Sequence, residues 1–191
     1  MAGAAFTTDC GSYDIGYTEN FNSFVPTCWA KAENGDLATG PAVFGTGSWT
    51  ADGFGNVGSS GSARFNIYST GDNDWLISPM FNVPASGLSQ VKFSAIMTNY
   101  SGTALTDALS GDDKLEVLIK SSTQTAWSVL YTVNAANPLT ATAEVFNFDV
   151  STFAGESIQI AFRAVEDATS GGDINVYIDD FMFVEVPVLD N

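Results

Sequence analysis

The stretch Gly172-Asp173-Ile174-Asn175-Val176-Tyr177-Ile178-Asp179-Asp180-Phe181-Met182-Phe183-Val184 reads as a buried β-strand interrupted by two adjacent carboxylates. Its β-branched and aromatic residues suit a pleated surface covered on both sides. Two neighbouring Asp side chains in such a run repel each other and lose hydration. Either a cation or a set of hydrogen-bond donors meets at least one of them, or the pair marks a bulge where both reach water. The residues of this stretch leave both readings open.

Working outward, the same two-residue period recurs. Ala63, Phe65 and Ile67 point one way and Arg64, Asn66 and Tyr68 the other. Val91, Phe93, Ala95 and Met97 repeat the pattern, as does the run Lys114 to Lys120. Ala126 to Tyr131, Val145 to Val150 and Ser157 to Glu166 add further strands, and Trp75-Leu76-Ile77-Ser78-Pro79 is a short apolar strand closed by its proline. Glu33-Asn34-Gly35-Asp36 reads as an oxygen-rich turn of the kind calcium favours, with an ordinary solvated turn as the alternative. The weakly charged excursion Leu37 to Gly61, carrying Trp49 and Phe54, reads as a packed Ω-type loop or a functional one. About nine strands with long connections and no helical period predict an all-β protein: a two-sheet antiparallel β-sandwich of the jelly-roll kind. The Cys-Trp-Cys spacing of an immunoglobulin sandwich is missing. The chain reads as a single domain with its core over 13–186, followed by a linker at 187–191.

Of the 191 residues only 15% are charged, yet 22 acids oppose 6 bases for a net charge of −16. That field repels phosphate backbones and anionic lipid, so no nucleic acid is expected as a partner and no docking on membranes. No run approaches the ~20 apolar residues of a membrane span, so no membrane insertion is expected. The absence of histidine removes Ser-His-Asp and Cys-His hydrolysis and His-ligated zinc. Cys10 and Cys28 are too few for a zinc site; a disulfide between them closes a loop of about 18 residues, worth roughly 3 kcal/mol in the loop-entropy picture, and points outside a reducing cytosol. Met1 to Ala5 lacks the charged and apolar regions of a signal peptide and reads as a start that replaces one already removed.

Taken in order, Glu19-Asn20-Phe21-Asn22, Cys28-Trp29, Trp75 to Pro79, Lys114-Leu115-Glu116-Val117, Ile160-Ala161-Phe162-Arg163 and Tyr177-Ile178-Asp179-Asp180 resemble the MAM-like jelly-roll domains of secreted Bacteroidetes proteins. These are also called cleaved-adhesin or choice-of-anchor J domains. The resemblance spans about Tyr17 to Val184. It implies a non-catalytic extracellular module, secreted or at the cell surface and covalently linked to other domains of a longer parent protein. It also implies a structural calcium held at Asn22, Asp36 and Asp179 or Asp180. Asn22 stands where the family has Glu, which removes one charge while leaving an amide oxygen that can ligate calcium.

An enzyme is not expected. A glycosidase needs two carboxylates across a cleft, and most acids here fall in turns. Sugar recognition needs a flat aromatic and planar polar groups. Arg64, Asn66, Tyr68, Arg163 and Tyr177 supply them if their strands share one sheet, and Trp49 and Trp127 are the alternatives on loops. Trp29 and Trp75 read as core, and Arg163 is also a candidate partner for Asp179. The expectation is a carbohydrate-binding accessory module for an extracellular polysaccharide or glycan. An adhesin or protein-interaction module and a calcium-stiffened spacer are the other readings. The negative field argues against uronic-acid glycans unless calcium bridges them.

Overall fold

The computed structural model describes residues 10–68, 71–166 and 172–186. Its elements in chain order are the strands β1 (Tyr17–Glu19), β2 (Ala30–Asp36), β3 (Gly40–Phe44), β4 (Thr50–Asp52), β5 (Ser62–Ile67), β6 (Asn73–Asn82), β7 (Ser89–Asn99), β8 (Lys114–Ser121), β9 (Ser128–Asn134), β10 (Glu144–Asp149), β11 (Ser157–Val165) and β12 (Ile174–Glu185). Two short 3-10 turns, Phe54–Asn56 and Ser151–Phe153, are the helical pieces among the described residues. One sheet runs β10-β7-β12-β5-β4 with β1 also paired to β12; the other runs β3-β2-β6-β11-β8-β9. All pairings between these strands are antiparallel. This is the predicted two-sheet jelly roll.

The alternation read from the sequence is what closes the core. Phe65, Ile67, Phe93, Met97, Val176 and Ile178 from the first sheet meet Leu115, Val117, Ile119, Ile160 and Phe162 from the second in one buried cluster. Trp29, Phe81 and Phe181 lock it with edge-on and stacked ring contacts at 5.1 to 5.6 Å. Burying such side chains contributes roughly 1.5–3 kcal/mol each, which offsets the entropy of ordering so many loops.

Three regions differ from the expectation. The predicted turn at Glu33 to Asp36 is the end of β2, because Asn34 and Gly35 adopt φ of 61° and 86° and bend the strand without ending it. Part of the predicted Ω-type loop forms β3 and β4, edge strands that pair with β2 and β5. The strand expected to stop at Pro79 continues to Asn82 through a bulge: Ser78 and Pro79 stand opposite Ile160 alone. Proline has no N–H to donate, so it is tolerated there, and the Ile160 N–H donates instead to the Ser78 hydroxyl at 2.9 Å. Cys10 and Cys28 form the disulfide, with 5.6 Å between their Cα atoms. Met1 to Ala5 and the linker at 187–191 lie outside the described residues.

Candidate functional site

Arg64, Asn66 and Tyr177 do share one face, the outer side of the first sheet, because β5 and β12 are paired. They are spent on each other and their neighbours. Arg64 makes an ion pair with Asp52 at 3.2 Å and donates to the Asn175 amide oxygen at 2.9 Å. Asn66 donates to Asp173 at 2.8 Å, and Asn175 donates to the Tyr177 hydroxyl at 3.0 Å. The segment after β4 lies over them: Phe54 packs edge-on to Tyr177, and Asn56 donates to the Gly102 carbonyl at 2.7 Å. Tyr177 is fully buried. The face expected to meet a sugar is therefore a polar layer bonded within itself, with Tyr177 buried, Arg64 and Asn66 half-buried and Tyr68 exposed beyond its end.

Arg163 belongs to the other sheet. It bonds Glu116 at 2.7 Å and Asn73 at 2.7 Å and lies 5.3 Å from the centre of the Trp75 ring, so it is not the partner of Asp179. Trp49 is fully buried beside Phe65, with its N–H on the Asp74 carbonyl, and offers no face to a ligand. Trp29 and Trp75 are buried as expected.

The outer face of the second sheet carries a different construction. Trp75, Ile77, Leu118, Trp127 and Ala161 form a small apolar cluster there, over which the β2–β3 hairpin folds. Trp75 holds that hairpin by donating to the Asn34 carbonyl, and the Trp127 backbone N–H donates to the Leu37 carbonyl at 2.7 Å. Where the hairpin lifts away, a groove of about 930 Å³ opens between it and the sheet. Phe44, 60% exposed, stands at its rim; Ser78, Gln159, Lys120 and Trp127 line its sheet side. The bulge sets this wall: the carbonyl of its Ser78 accepts from the Gln159 side-chain amide at 2.8 Å, and Gln159 and Lys120 face each other across β11 and β8. The Lys120 ammonium lies 5.0 Å from the Trp127 ring centre. Lys31, also on the wall, is committed to the Gly47 and Trp49 carbonyls.

One donor in this groove is unsatisfied. The indole N–H groups of Trp29, Trp49 and Trp75 all reach acceptors, whereas that of Trp127, 5% exposed, has none. Gly40 packs close on that nitrogen, where a Cβ would sit only 3.3 Å away. Of the residues expected to bind a ligand, the groove gathers Trp127 alone. Phe44, Lys120 and Gln159 were not singled out from the sequence. Lys120 was legible as the outward member of the Lys114 to Lys120 alternation; Phe44 sat in an excursion without a period.

The residues expected to hold calcium do not converge. Asp36 ends β2 in the second sheet, where it accepts hydrogen bonds from the Ala38 N–H and from the N–H and hydroxyl of Thr39; those bonds hold its carboxyl below the usual range. Asp179 pairs with Ser94 in β12 of the first sheet, and in the bulge that follows Asp180, exposed at a φ of 50°, and Phe181 stand opposite Phe93. Burial pushes Asp179 up to about 6, helped by the charges of Asp180 and Glu19. Asn22 is exposed. Among the described residues no group of three or more Asp, Glu or Cys side chains is arranged to hold a metal. Asp36 belongs to the other sheet from Asp179 and Asp180, so these residues are not gathered into one oxygen set.

No protein-family model matches the sequence, and neither does any curated protein. Solved structures do match the fold. The K1 cleaved adhesin domain of Lys-gingipain from Porphyromonas gingivalis superposes with a TM-score of 0.57 at 16% identity, over 90% of this chain and 98% of that one. The K3 domain of the same protein gives 0.52 at 14% identity over 88% and 98%. A family 61 carbohydrate-binding module, solved with β-1,4-galactotriose, gives 0.51 at 12% identity over 86% and 92%. The fold is thus the jelly roll of cleaved-adhesin domains and carbohydrate-binding modules.

Proposed function

We propose that this chain is a non-catalytic, extracellular accessory module that binds a polysaccharide in the groove beneath the β2–β3 hairpin and is attached to a larger secreted or surface protein. The groove itself carries the reading. Its volume is in the range of small-ligand sites, and it pairs an exposed aromatic, Phe44, with planar and charged donors on a rigid sheet. The named walls hold no carboxylate, whereas glycoside hydrolysis uses two. The likeness in fold to a module solved with an oligosaccharide supports the same class of ligand. The disulfide suits an oxidising compartment.

The test is titration calorimetry against a panel of soluble plant, algal and bacterial polysaccharides. At least one should bind, and Phe44→Ala should weaken it by about tenfold, the loss of one stacked ring. A panel without a hit, or a hit indifferent to Phe44→Ala, overturns the reading. The adhesin alternative draws support from the fold likeness and from Val25, Val43 and Phe44, which are exposed. Capture of a protein partner, lost with Phe44→Ala in the absence of any glycan binding, would favour it. Structural calcium stays in the proposal in reduced form, with Glu19 and Asp179 as its carboxylates.

A further inference from the structure

Resting on the carbohydrate reading, the groove's chemistry narrows the ligand: we propose that it takes an acidic oligosaccharide, with a uronate carboxylate received between the Lys120 ammonium and the Trp127 indole N–H. Neutral sugars present hydroxyls that both donate and accept, and sites for them usually supply acceptors as well as donors. The side-chain acceptors on the named walls are the Gln159 amide oxygen and the Thr39 and Ser78 hydroxyls, and Ser78 already accepts from the Ile160 N–H. The walls hold no Asp or Glu in a protein with 22 acids, and the Gln159 amide nitrogen and the Lys31 ammonium are already committed to carbonyls.

Two donors are left over. Lys120 makes no ion pair among the described residues, although the other basic side chains on this face, Lys114 and Arg163, both pair with Glu116. The Trp127 N–H is buried without an acceptor, which destabilises the fold until one arrives. The two groups meet at one indole ring, with the ammonium 5.0 Å from its centre and the N–H on its edge beside Gly40. A carboxylate has two oxygens with lone pairs and no donor, and it satisfies both groups at once. The overall charge of −16 repels long polyanions, so the local donors favour a short acidic segment or one acidic residue in a mostly neutral chain.

The experiment compares tetramers of galacturonate, mannuronate and glucuronate, each with its methyl ester and with a neutral tetramer, by calorimetry against wild type, Lys120→Met and Trp127→Phe. At least one uronate should bind about tenfold or more tighter than its ester, and both variants should erase that difference while keeping the wild-type fold by near-ultraviolet circular dichroism. Lys120→Met removes a partly exposed charge, so it reports even if Trp127→Phe fails to fold. Neutral tetramers binding as well as the uronates, or a preference for uronates untouched by Lys120→Met, overturns the inference and leaves carbohydrate binding standing. If no saccharide binds, both fall.

Discussion

Asp179 is where one residue sets a measurable property. In the fold its carboxyl is raised to about 6 from an ordinary value of 3.8, first by burial and then by the charges of Asp180 and Glu19. A raised acid binds more protons folded than unfolded between those two values, so its contribution to stability falls as pH rises through that window and is lowest at neutral pH. Asp179→Asn keeps the acceptor for the Asp180 N–H and removes the charge. Without divalent ions, the variant should melt above wild type at pH 7, and the two should converge as pH falls below the window. Added calcium should raise the wild-type melting temperature and leave the variant unmoved. A wild type indifferent to both calcium and chelator would remove calcium from the account.

The β6–β11 bulge is the element on which the groove depends. Regular pairing at this point is impossible because Pro79 has no N–H, and the Ser78 hydroxyl takes over the Ile160 N–H inside the protein. Ser78→Ala leaves that N–H buried without an acceptor and should cost about 1–3 kcal/mol, read as a lower urea midpoint at unchanged slope. It should also weaken saccharide binding, since Ser78 and Gln159 share the groove wall. The strand was legible in Trp75 to Pro79, but its continuation to Asn82 was not. Proline usually closes a strand, and only a partner strand with a bulge lets it stay.

At the scale of the whole molecule, the Cys10–Cys28 disulfide ties the segment before β1 to the loop that enters β2. Tyr13 in that segment exchanges backbone hydrogen bonds with Met80 and Asn82 of β6, and Val25, Cys28 and Trp29 line the far side of the groove. Reduction, or Cys28→Ser, should cost roughly 3 kcal/mol by the loop-entropy account and lower saccharide affinity as that wall loosens. Chemical denaturation and calorimetry with and without reductant check both. A full loss of stability with no change in affinity would show that the loop does not shape the site. The sequence by itself determined the all-β class, the inward faces of most strands, the disulfide and the lack of imidazole chemistry, because alternation, residue counts and cysteine number are local properties. Only the tertiary structure decided which outward faces stay open. Arg64, Asn66 and Tyr177 alternate as cleanly as Lys120, yet the first set is bonded to Asp52, Asp173 and Asn175 with Phe54 packed on Tyr177, while the lifted β2–β3 hairpin leaves Lys120, Gln159 and Trp127 lining a groove. Which segment packs over a strand is fixed by contacts between residues far apart in the chain, and no periodicity along one strand records them.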